Sequence, residues 1–104
     1  MALTKHFKDT IKARAEIDPA FRKALYQEAL EAFLEGDALT GKAMLRDYVN
    51  ATLGFEALET LTGTTRKSLM RMLSPNGNPG LNSLMPVFRA LNETAELNPS
   101  VRVE

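Results

Sequence analysis

Leu3, Phe7, Ile11 and Ala15 stand four residues apart, a spacing that stacks them along one side of an α-helix. Lys5, Lys8 and Lys12 follow a second helical line, a basic face open either to solvent or to phosphate. Asp18-Pro19 predicts the next helix start, because the carboxylate can cap it and proline at the first position gives up only an N–H that would be unpaired anyway. The helix it opens carries Phe21, Leu25, Ala29 and Phe33 along one side, with Leu30 and Leu34 beside them. Gly36 is the expected left-handed stop, and Glu28, Glu31 and Glu35 occupy the exposed side.

A third helix is expected to begin between Asp37 and Thr40. It buries Met44, Leu45, Tyr48, Val49 and either Leu53 or Phe55, and Asn50 and Gly54 mark its end. Phe55 to Leu61 makes barely two turns, too few to be stable in isolation, so tertiary packing must hold it. Further on, Asn82 or Ser83 can cap a long helix with Leu84, Val87, Phe88 and Leu91, and Pro86 falls near its first turn. Asn98-Pro99 breaks it, and residues 100–103 read as a short terminal strand or a frayed tail. These patterns predict an all-α fold: a five- to six-helix bundle containing a helix-turn-helix, with or without a short C-terminal extended segment. Residues 1–104 then form a single helical domain. Residues 1–53 supply N-terminal helices, 54–79 the helix-turn-helix and its following loop, and 80–104 the C-terminal helix and tail.

The stretch from Phe55 to Pro79 organises the rest. Gly63 gives the chain the left-handed turn that lets two short helices meet steeply, and Thr64 or Thr65 can cap the second. At 100° per residue, Leu69, Met72 and Leu73 fall on one side of that helix. Lys67 and Arg71 point the opposite way, with Ser68 and Met70 flanking them and Thr64 sharing their side. An apolar back and a polar front is what a helix reading the DNA major groove requires. Arg66 and Lys67 sit in the first turn, where the helix dipole opposes cations. That placement makes sense where phosphate arrives to meet them. Arg71 is the better candidate for a guanine edge, which its planar fork can bind in two places.

Charge sharpens this picture. The formal net charge is zero, yet residues 62–91 carry Arg66, Lys67, Arg71 and Arg89 and no acid. Residues 25–61 hold two basic and seven acidic residues. A neutral total therefore hides a positive segment on the proposed reading helix. With one His, no Cys, no glycine-rich phosphate loop and no metal-ligand spacing, no catalytic, cofactor-binding or metal-binding residue is assigned, and an enzyme is not expected. The N-terminus lacks a signal-peptide core, and no apolar run approaches the ~20 residues of a membrane span. A cytoplasmic protein without a membrane partner is the expectation.

The segment from Gly54 to Asn92 resembles the addiction-module antidote family of bacterial helix-turn-helix regulators, the HigA-like antitoxins encoded beside RelE/HigB-like toxins. The likeness is carried by Arg66-Lys67-Ser68-Leu69, Arg71, Leu73-Ser74-Pro75 and Gly77-Asn78-Pro79, with Leu34-Glu35-Gly36-Asp37 upstream, and it spans about residues 25–92. The resemblance implies a homodimeric protein that binds double-stranded DNA, represses its own operon and neutralises a toxin. It assigns the DNA-facing set to Thr64, Thr65, Arg66, Lys67, Ser68 and Arg71, and has the Ser74–Pro79 loop buttress the reading helix or approach the DNA backbone. The alternative is a protein-binding module, whose acidic Glu28, Glu31, Glu35 and Asp37 dock a basic RelE/HigB-like toxin.

Overall fold

Six helices make up the computed structural model, which describes residues 5–104, with side chains described from residue 9 onward. They are α1 (Lys5–Ile17), α2 (Pro19–Leu34), α3 (Ala38–Ala51), α4 (Gly54–Thr62), α5 (Arg66–Met72) and α6 (Leu81–Thr94). Leu3 lies outside the described residues, as do the side chains of Lys5, His6, Phe7 and Lys8. No strand occurs among the described residues, and residues 98–104 are irregular and exposed. No described helix is long and apolar enough to cross a membrane.

The local start and stop signals act where the chain predicts them. The Asp18 carboxylate accepts the Phe21 N–H at 3.1 Å, and the Asp37 carboxylate accepts that of Thr40 at 3.1 Å. Hydrogen bonds from the Thr40 side chain and backbone N–H hold the Asp37 carboxyl below its ordinary pKa, because they favour its charged form. Gly36 ends α2 in the left-handed region at φ 87°. Arg14 closes the α1–α2 corner, 3.7 Å from Asp18 and with its guanidinium 4.4 Å over the Phe21 ring.

Two expectations fail. Leu34, placed beside the apolar stripe, is 68% exposed. The side of α2 that is buried carries Tyr26, Ala29 and Ala32, which leaves its final residue uncovered. At α6 the cap is Gly80 rather than Asn82 or Ser83, and it offers its carbonyl to the N–H groups of Ser83 and Leu84 at 3.1 Å. The earlier start puts Pro86 at the sixth helical position. The carbonyl that loses its donor there belongs to Asn82, on an exposed flank that water can reach.

The core runs from α2 to α6 through Tyr26, Leu45, Tyr48, Val49, Phe55, Leu58, Leu69, Leu73, Val87 and Leu91. Phe55 is the buried one of the pair Leu53 and Phe55, while Leu53 is partly buried against the core. Tyr26 and Tyr48 pack with ring centroids 5.0 Å apart, and the Tyr26 hydroxyl donates to Asn92 Oδ1 at 2.5 Å. Burial raises both phenol pKa values above their ordinary 10.0, with the neighbouring Tyr48 adding to the effect at Tyr26.

Candidate nucleic-acid interface

A three-residue turn joins α4 to α5. Gly63 takes φ 77°, a left-handed conformation that a residue with a Cβ adopts only under strain, and its N–H closes α4 on the Glu59 carbonyl at 2.8 Å. Thr65 then caps α5, its hydroxyl accepting the Ser68 N–H at 3.2 Å and donating to Ser68 Oγ at 2.9 Å. Leu69 and Leu73 are fully buried and Met72 partly so, which anchors one side of a helix of only seven residues. Burial of each leucine contributes about 1.5–3 kcal/mol, and that packing holds a helix far too short to stand alone.

The opposite side is open. Thr65, Arg66, Lys67, Ser68, Met70 and Arg71 are exposed, and Thr64 is half-buried, its N–H bound to Thr62 Oγ1 at 3.2 Å. Among the described residues Lys67 and Arg71 make no ion pair. Arg66 differs. Its Nε lies 3.2 Å from Glu59 Oε1 and one Nη 3.7 Å from Glu56 Oε2, so two carboxylates of α4 compensate a cation that the α5 dipole disfavours. From the sequence alone, an arriving phosphate is expected to supply that compensation. Here it comes from residues seven and ten positions upstream.

The far end of α5 is held by cations from α3. Arg46 donates to the Leu73 carbonyl at 2.8 Å, and buried Lys42 donates to the carbonyls of Pro75, at 3.2 Å, and Gly77. Positive charge at a helix C-terminus suits the dipole, and here it also ties down the loop that follows. The loop folds back closely: a Cβ added at Gly77 would lie 2.3 Å from the Arg71 carbonyl oxygen and 2.4 Å from that of Met72. The Ser74–Pro79 loop therefore packs against the C-terminal turn of α5. Neither cation was singled out from the sequence, although Lys42, Leu45 and Val49 share one side of a helix at apolar spacing. A lysine on such a stripe needs a polar partner, and the loop carbonyls supply it.

Among the described residues no group of His, Asp and Glu is placed to hold a metal ion. A groove of about 790 Å³ lies elsewhere, between the α1–α2 corner and the C-terminal ends of α3 and α6, and has no lining residue from α5. No protein-family model, curated protein or solved structure matches the chain.

Proposed function

We propose that the chain is a sequence-specific DNA-binding transcriptional regulator that works as a homodimer, with α5 as its reading helix. The observation that carries this is the division of α5 itself: Lys67 and Arg71 exposed and without an ion pair among the described residues on one side, Leu69 and Leu73 fully buried on the other. A helix anchored in this way presents its cations at a fixed spacing. Arg71 fits a guanine edge through its two-pronged guanidinium, and Lys67 fits a phosphate. Ser68 and Thr65 border them and contribute hydroxyl contacts. A second copy related by a two-fold axis reads a second half-site about one helical turn away, roughly 34–36 Å.

The test is fluorescence-anisotropy titration against duplexes obtained by in vitro selection, repeated across a salt series. Affinity falls steeply with salt, and Lys67→Gln lowers the slope of log K against log salt by about 1.8, one phosphate's worth from each protomer of the dimer. Absence of binding to selected and genomic duplexes at about 50 mM salt sinks the reading.

A second reading has its own observation. Leu34 and Leu39 are 68% and 60% exposed beside Glu31, Glu35 and Asp37, and none of these carboxylates forms an ion pair among the described residues. An apolar patch rimmed with acid suits a basic protein partner, the chemistry of a RelE/HigB-like toxin, and an antitoxin would combine both surfaces. Co-purification with the product of the adjacent gene tests it, and a clean failure counts against it.

A further inference from the structure

We infer that Glu56 and Glu59 are specificity-determining residues, which hold Arg66 away from DNA phosphate and so suppress binding to unselected sequence. The inference rests on the DNA-binding reading above. Of the three cations of α5, only Arg66 forms an ion pair among the described residues, with Glu59 at 3.2 Å and Glu56 at 3.7 Å. These contacts join α4 to α5 on the side of α5 that is exposed. All three side chains stay solvent-accessible, Arg66 at 53%, Glu56 at 81% and Glu59 at 31%.

Two consequences follow from this arrangement. A phosphate approaching Arg66 also meets Glu56 and Glu59, the carboxylates paired with it, and like charges brought together oppose that encounter. Arg66 is also already neutralised, so it releases few counterions on unselected DNA. Arg71 stands five positions further along the helix, roughly 7.5 Å of axial rise away, and its contact with a base edge escapes this opposition. Backbone binding is therefore weakened more than base reading, which widens the ratio between selected and unselected sequence.

The experiment compares the full chain with Glu56→Gln/Glu59→Gln, and with that pair combined with Arg66→Gln, on a mixed-sequence duplex and on a selected one. The double variant binds the mixed-sequence duplex on the order of tenfold tighter at low salt. Its log–log salt slope steepens by about 1.8, one phosphate for the Arg66 of each protomer. The ratio of affinities for selected over mixed-sequence duplex falls. Adding Arg66→Gln restores the original slope, because the extra phosphate contact belongs to Arg66. Thermal melting checks that each variant keeps the native fold.

If the wild type binds and the double variant matches it in affinity and slope, this inference is overturned while the DNA reading stands. A steeper slope that survives Arg66→Gln overturns it as well, since the acids would then act by general charge alone. Failure of every protein to bind either duplex removes the DNA reading and the inference with it.

Discussion

The two ends of α5 are held by charge in opposite ways. At the C-terminal end, buried Lys42 and half-buried Arg46 donate to the carbonyls of Leu73, Pro75 and Gly77. At the N-terminal end, Arg66 meets Glu56 and Glu59 on the open surface. Hydrogen bonds from a buried cation are hard to replace, because a buried charge cut off from its acceptors is costly. Exposed ion pairs are worth little and exchange readily with other ions. One end of the helix is thus a fixed mount and the other an exchangeable contact, whose charge rather than whose strength acts on an anion that approaches.

Lys42→Met breaks the comparison most severely. It keeps the side-chain volume but strips two carbonyls of their donor, and costs about 3 kcal/mol of stability by urea denaturation. Gly77→Ala attacks the same end without touching a charge, since its Cβ meets backbone at 2.3 Å, so the loop must move. The loss is about 2 kcal/mol, within the range for overpacking. Arg46→Gln removes one bond and costs about 1 kcal/mol. Glu59→Gln lies at the other extreme, with a change below about 0.5 kcal/mol that shrinks further as salt rises. A Glu59→Gln loss as large as that of Lys42→Met would collapse the distinction between mount and exchangeable contact.

Acid sharpens it from another side. Asp37 caps α3, the helix that carries Lys42, and its pKa is lowered in the fold from an ordinary 3.8. The stability it adds is complete above that ordinary value and is lost as pH falls through the lowered one. Comparing the acid limb of Asp37→Asn with that of the wild type isolates the contribution. The effect is the smallest of the set.

What was legible in the sequence was local. Asp18-Pro19, Gly36, Gly63 and Thr65 act within a few residues of themselves, so their roles as caps and turns followed from residue type. The inward Leu69 and Leu73 and the outward Lys67 and Arg71 followed from helical geometry alone. The partners of distant residues could not be read in this way. Lys42 meets carbonyls 33 and 35 positions away, and nothing in α3 names them. Arg66 looked like a cation awaiting phosphate because Glu56 and Glu59 belong to the preceding helix, and only the turn at Gly63 brings them alongside. Tyr26 escaped the apolar stripe because its hydroxyl counts as polar until Asn92 receives it. Leu34 was misplaced because periodicity locates a side of a helix but not whether anything covers it.

The Tyr26–Asn92 hydrogen bond joins residues 66 positions apart, and this bears on how the chain folds as it is made. When α2 leaves the ribosome, a phenol meant for the interior has no acceptor, and it waits while four more helices are synthesised. At the usual 5–20 residues per second, that wait is on the order of several seconds. Until α6 arrives, an α2–α3 hairpin can collapse but cannot bury Tyr26 with its acceptor in place. Completion of this fold is therefore timed by the emergence of α6, and the interval before it is when the nascent chain is most exposed to proteases.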